Sequence, residues 1–220
     1  MNLKDRTLPI AESVEAGTPR KKSLIREYAE SIIIALILAF TIRAFVVQAF
    51  EIPSSSMEDT LAIGDRILVN KFLFGTKIPL TDIRILPVRA PKPGDVIVFE
   101  FPEDPSKDFI KRVVGTPGDR IQVVDKQVYV NGKPYLNPHE VHKDAVIYPA
   151  AHGHRDNTDV ITVPADSYFV MGDNRDNSYD SRFWGFVTRG KIKGQAFMKY
   201  WSWDSDNWRV RWTSIGKLIE

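Results

Sequence analysis

Hydrophobic residues are spread unevenly along the chain. One continuous apolar run, SIIIALILAFTIRAFVVQAF at residues 31–50, precedes a long stretch in which apolar residues come in short groups. At ~1.5 Å of rise per residue, about 20 residues cross a hydrocarbon core of about 30 Å, so the run predicts one membrane-spanning helix. It is long for the apolar core of a cleavable leader and ends without an A-x-A-like site, which argues for an anchor that stays in place. Arg43 is costly at mid-bilayer and is expected near the outer interface, its stem snorkelling, or facing protein. From Ile67 onward, RILVNKFLF, GDVIVFEF, DFIKRVVG, DRIQVVDKQVYVNGKPYL, DVITVP, SYFVMGD and KIKGQAFMKYW are β-branched and aromatic runs separated by Pro, Gly, Asn and Asp. They predict a mainly β domain. Asn131-Gly132 marks a hairpin whose turn needs positive φ at both positions.

Length and charge then limit the organisation. The 220 residues divide into a tail at 1–28, a transmembrane anchor at 29–50 and one β-rich domain at 51–220, large enough to bury its own core. Arg20, Lys21, Lys22 and Arg26 precede the apolar run, while residues 51–65 hold no lysine or arginine. By the positive-inside rule the N-terminus is cytoplasmic and the β domain lies outside a single-pass cell membrane protein. A net charge of +2 gives no reason to expect a nucleic-acid partner. With no cysteine, disulfides, thiolate zinc sites and cysteine nucleophiles are excluded.

Three stretches carry candidate chemistry. In EIPSSSMEDT, Ser55 with Glu58, or Ser56 with Asp59, fits a capping box for a short helix near Met57. A serine nucleophile would need a base elsewhere. His139, His142, His152 and His154 share one polar region without metal-site spacing, and read as a solvated loop. In DFIKRVVG, a period of two puts Phe109, Lys111 and Val113 on one face. If that face is buried, desolvation disfavours the ammonium; a fall from ~10.4 to ~8 raises the neutral fraction at pH 7 from roughly 0.04% to roughly 9%. The alternative is a lysine snorkelling from a half-exposed strand. Finally, MGDNRDNSYDSRFWG is rich in turn formers, and Asp180 and Arg182 lie two apart, ahead of an aromatic anchor.

IPSSSM, DFIKRVVGTPGD and GDNRDNSYDSRFWG, in this order and with the first just beyond a transmembrane run, resemble the bacterial type I signal peptidase (leader peptidase) family. The resemblance covers nearly everything after the tail. It implies an antiparallel sheet or barrel-like catalytic domain and a membrane-bound serine endopeptidase that removes signal peptides from exported preproteins. Ser56 matches the nucleophile and Lys111 the general base. Ser54, with the Ser56 backbone N–H, matches the oxyanion hole; Ser178 matches the residue that orients the lysine; Asp180 and Arg182 match a supporting ion pair. Ile52, Met57 and Ile110 would line shallow substrate pockets suited to A-x-A-like cleavage sites. Ser55 is expected to be a bystander, and Asp59 stands where the family commonly has proline. The implied partners are signal peptides and the lipid bilayer, and no cofactor is implied. Trp201, Trp203, Trp208 and Trp212 could add a second membrane contact or pack in the core. A β domain that only binds exported proteins, with serines as a cap, and a self-cleaving Ser/Lys protein are the competing readings.

Overall fold

The structure is a computed structural model that describes residues 24–77, 84–85 and 87–220. The first 23 residues of the expected tail lie outside the described residues. Helix α1 (Leu24–Phe45) starts earlier and ends earlier than the expected span at 29–50. Val47–Glu51 instead forms strand β1, paired antiparallel with β2 (Asp65–Asn70) from Val47↔Asn70 to Glu51↔Arg66. The reason is packing: Phe50, at the end of the apolar run, packs on the buried cluster of Ile52, Met57, Leu61 and Ile67. Among the described residues, no helix is long and apolar enough to cross a membrane. In α1 the uncharged stretch between Glu30 and Arg43 is 12 residues, a rise of roughly 18 Å.

The domain after α1 is mainly β and antiparallel. Short strands β3 (Thr76–Lys77) and β4 (Arg84–Ile85) pair with each other. They are followed by β5 (Val96–Glu100), β6 (Asp108–Gly115), β7 (Arg120–Val124), β8 (Gln127–Val130), β9 (Lys133–Pro134), β10 (Ile161–Thr162) and β11 (Ser167–Met171). A one-turn helix α2 (Ser181–Trp184) precedes β12 (Val187–Thr188), the long β13 (Ile192–Asp204) and β14 (Arg209–Val210). The main sheet runs β1-β2-β13-β5-β6-β11-β12, with β14 paired to β13; a second sheet runs β10-β7-β8-β9. Asn131 and Gly132 have φ of 54° and 77°, as the hairpin between β8 and β9 requires.

The centre of the main sheet explains where the chemistry sits. In β6, every residue from Ile110 to Gly115 is buried, so this strand has no solvent face. Two consecutive cations, Lys111 at 4% exposure and Arg112 at 2%, therefore point to opposite sides of a closed strand. Each needs a polar partner on its own side, because an unpaired buried charge costs several kcal/mol. Those partners come from the turn after β1 and from the loop after β11.

Candidate active site

The turn after β1 is pinned by its backbone and by apolar anchors. Ile52 donates to the Asp65 carbonyl at 2.9 Å and accepts from Gly64 at 3.0 Å, and Ile52, Met57 and Leu61 are buried. Ser54 is extended, and Ser55–Met57 forms a single 3₁₀ turn. The expected capping box does not form. Ser54 is the residue at the N-cap, and its side chain makes no capping bond. Ser56 Oγ is occupied elsewhere: it lies 2.7 Å from Lys111 Nζ and 3.4 Å from Ser54 Oγ.

Lys111 Nζ donates to Ser56 Oγ and to the Ile110 carbonyl at 3.0 Å. It also sits 5.4 Å from the centroid of the Phe109 ring. Burial lowers the Lys111 pKa to about 8; Asp180 and Asp173 pull it back up, and Arg182 pushes it down. The snorkelling alternative is excluded by that burial. At a pKa of about 8, about 9% of the side chain is neutral at pH 7. A neutral amine at 2.7 Å can accept the serine proton, which is the requirement for a serine–lysine nucleophile pair.

The loop at 172–182 supports both groups. Asn174 N donates to the Ser56 carbonyl at 3.2 Å, and Asn174 Nδ2 donates to the Ser55 carbonyl at 3.2 Å. Ser55, expected to be a bystander, is also held: Asn177 Nδ2 donates to its Oγ at 2.9 Å. Asp173 takes two bonds from Arg112, from Nε at 2.7 Å and Nη2 at 2.8 Å, and a third from Thr60 Oγ1 at 2.6 Å. Arg112 is thus satisfied by the loop while its neighbour Lys111 is directed to Ser56.

Asp180 and Arg182 form the expected ion pair, with both oxygens of Asp180 engaged, by Nε at 2.9 Å and Nη2 at 2.8 Å. Burial alone would raise the Asp180 carboxyl, but the Arg182 guanidinium outweighs it and holds the group below the usual carboxylate range. Arg182 also donates to the Arg155 and Arg175 carbonyls, each at 2.7 Å, which ties the loop to the segment before β10 and to its own first turn. Ser178 is buried; its Oγ makes no bond to Lys111, but it lies beside the Asp180 carboxylate and helps hold that group's pKa down. It touches the site through Gly172: a Cβ there would meet Ser178 Oγ.

Sequence reasoning found Ser54, Ser56, Lys111, Asp180 and Arg182, and the fold brings them together. It missed Asp173, Asn174, Asn177 and Arg112, although three of them lie in the GDNRDNS motif. The signal that could have found Arg112 is its place beside Lys111 between the apolar pairs Phe109-Ile110 and Val113-Val114. Ile52, Ile110, Phe50, Ile67 and Val98 line a cavity of about 30 Å3 beside the turn, and Met57 belongs to the same apolar cluster. The histidines stand apart from Ser56; His142 lies 3.5 Å from both Asp176 and Glu140.

A sequence profile of the family described as Signal peptidase, peptidase S26, matches residues 25–201. Signal peptidase I of Pseudomonas aeruginosa is 36% identical over 217 residues, covering 83% of this chain and 75% of that protein. Probable signal peptidase I-2 of Synechocystis sp. is 40% identical over 203 residues, covering 87% of this chain and 83% of that protein. A crystal structure of a signal peptidase I from Enterococcus faecalis V583 aligns with TM-score 0.39 and 29% identity over 49% of this chain and 97% of that one. With a profile match over most of its length and relatives at 36% and 40% identity, the chain belongs to the signal peptidase family, peptidase S26, and is a serine peptidase.

Proposed function

We propose that this chain is a membrane-anchored endopeptidase that removes signal peptides from translocated preproteins, with Ser56 as nucleophile and neutral Lys111 as general base. The observation that carries this reading is the buried 2.7 Å contact between Lys111 Nζ and Ser56 Oγ. Ser56 Oγ attacks the scissile carbonyl carbon while Lys111 takes its proton; the lysine then gives that proton to the leaving amine, and an acyl-enzyme remains. Water, deprotonated by the same amine, attacks the ester and releases the second product. Ser54 Oγ and the Ser56 N–H hold the developing oxyanion, each such donor contributing about 3 kcal/mol. Asp180 and Arg182 keep the loop and its charge in place; Ser178, which makes no bond to Lys111 here, is assigned the orienting role by its place in the GDNRDNSYDSRFWG stretch alone.

Substrate selection follows from the same walls. The substrate runs as an extended strand along the part of β6 that precedes its pairing with β11, which begins at Arg112. Side chains of the residues before the cut enter the 30 Å3 cavity beside Ile52 and Ile110, which admits a methyl and rejects long side chains, with Met57 packed in the cluster behind it. Small residues at alternate positions, an A-x-A-like site, fit this spacing.

We place the anchor at α1, with the N-terminus cytoplasmic and the β domain outside, although the helix alone is not long and apolar enough to cross a bilayer. Its supports are the basic residues Arg20, Lys21, Lys22 and Arg26 ahead of it and the exposure of Ile32, Ile33, Leu36, Ile37 and Phe40 all round its surface. The exposed Trp208 and Trp212, set edge-to-face on Trp203 and Trp201, add interfacial contacts. The test is cleavage of a purified preprotein by wild type, Ser56→Ala and Lys111→Ala, with alkaline extraction of membranes for the anchor. Cleavage at the wild-type rate by both variants would overturn the mechanism, and release of the chain by alkali would overturn the anchor.

A further inference from the structure

The polar excursion between β9 and β10 has no part in the chemistry above, yet its first residues run alongside the loop that holds the serines. Val141 forms an isolated parallel bridge with Asn174. Its N–H donates to the Asp173 carbonyl at 2.8 Å, and its carbonyl accepts from Arg175 N at 2.9 Å. Asn137 Nδ2 donates to Asp173 Oδ1 at 3.2 Å, and Asp144 N donates to Asp176 Oδ2 at 2.8 Å. At the far end, Lys143 pairs with Glu58 at 2.6 Å, one residue beyond the 3₁₀ turn that carries Ser56. Residues 137–144 therefore touch both pieces of the site: the loop and the serine turn.

Within this strap one charged contact reaches the protein interior, from a half-buried Glu140 to a buried Arg175. Arg175 is 2% exposed and one of the largest fully buried side chains of the protein. Its Nη2 lies 2.9 Å from Glu140 Oε2. Burial pulls the Arg175 pKa down, and Glu140 does most to restore it. A guanidinium at that depth stays in place only while a carboxylate faces it, because losing one member of a buried pair leaves the other charge uncompensated. Arg175 directly follows Asn174, the residue whose N–H holds the Ser56 carbonyl.

We infer that Glu140 is a positioning residue for the peptidase reaction: by neutralising Arg175 it keeps Asn174 seated against Ser56, and so keeps Ser56 Oγ within reach of Lys111. This rests on the reading of Ser56 as the nucleophile. Glu140 itself touches neither Ser56 nor Lys111, so its effect falls on the rate of the chemical step and not on substrate affinity.

The test is steady-state cleavage of a preprotein by the full chain in detergent, with kcat expressed per folded molecule from the near-ultraviolet circular dichroism of its tryptophans. Glu140→Gln lowers kcat about tenfold or more with KM within about twofold. The double variant Glu140→Leu/Arg175→Met removes the buried guanidinium together with its counter-charge and recovers kcat to within about threefold of wild type. Glu140→Asp keeps the charge, shortens the tie by one methylene and lowers kcat about threefold; it serves as the readout should Glu140→Gln not fold. A wild-type kcat per folded molecule in Glu140→Gln or Glu140→Asp overturns the inference, and so does a double variant no better than Glu140→Gln. Ser56→Ala, run in parallel, separates the two layers. Cleavage that survives there sinks the nucleophile itself, whereas its loss alongside wild-type kcat in Glu140→Gln sinks only the role of Glu140.

Discussion

Gly172 passes so close to Ser56 that a Cβ on it would lie 2.4 Å from the Ser56 carbonyl oxygen and 2.3 Å from Ser178 Oγ. One of these two atoms is backbone, in a turn held by the bond from Asn174, so it cannot swing aside. Gly172→Ala is expected to cost about 1–3 kcal/mol of stability, the usual range for overpacking. It should also lower preprotein cleavage well beyond the loss of folded protein. Urea unfolding and kcat on the same samples check this.

The pH dependence follows from Lys111. With a folded pKa of about 8, kcat/KM should rise about tenfold per pH unit below that value and level off above it. The stability term has its own sign. An unfolded lysine releases its proton near 10.5, so between about 8 and 10.5 the unfolded chain binds the extra proton and stability rises with pH. Below about 8 the full penalty of burying the ammonium, about 3 kcal/mol, is present. Lys111→Met should therefore be inactive yet more stable than wild type at pH 7, and the gain should shrink toward pH 10. Thermal or urea unfolding at the two pH values measures it.

Asp180→Asn acts on two quantities at once. It leaves the Arg182 guanidinium buried without its anion, which should cost about 3–5 kcal/mol. It also removes the carboxylate that raises the Lys111 pKa, so the acid limb of the pH–rate profile should move below 8. An acid limb that stays in place would show that Asp180 acts on the fold alone.

Ser178→Ala should separate orientation from stability. Because Ser178 Oγ does no more than help to steady the Asp180 carboxylate, its removal should change the unfolding free energy by about 1 kcal/mol or less. A fall in kcat in a protein of unchanged stability is expected if the hydroxyl meets the lysine during turnover. Equal kcat would remove Ser178 from the mechanism.

Much of this arrangement was legible residue by residue. The alternation in DFIKRVVG put Lys111 on the face of Phe109 and Val113, and the turn formers of GDNRDNSYDSRFWG marked a loop. What period could not give was the closure of the second face of β6, which buries Arg112 as well. That depends on partners distant in the chain: Asp173, 61 residues away, and the Gly94 and Glu220 carbonyls that accept from Arg112 Nη1. The capping box was misread because Ser56 and Glu58 have better partners far along the chain, Lys111 and Lys143. The last four residues of the apolar run, Val47 to Phe50, read as lipid-facing from composition alone. They form a strand because β2 offers a hydrogen-bonding edge, and Phe50 a place in the core.

That strand sets a distance. Five residues of β1, locked to β2 in fixed register, make a rod of roughly 17 Å between the end of α1 and the turn that carries Ser56. A loop of the same length would let the serine wander; a paired strand gives it one separation from the end of the helix. Under the anchor proposed above, that fixed length would act as a tether of constant span, limiting how far from the helix end the serine can reach.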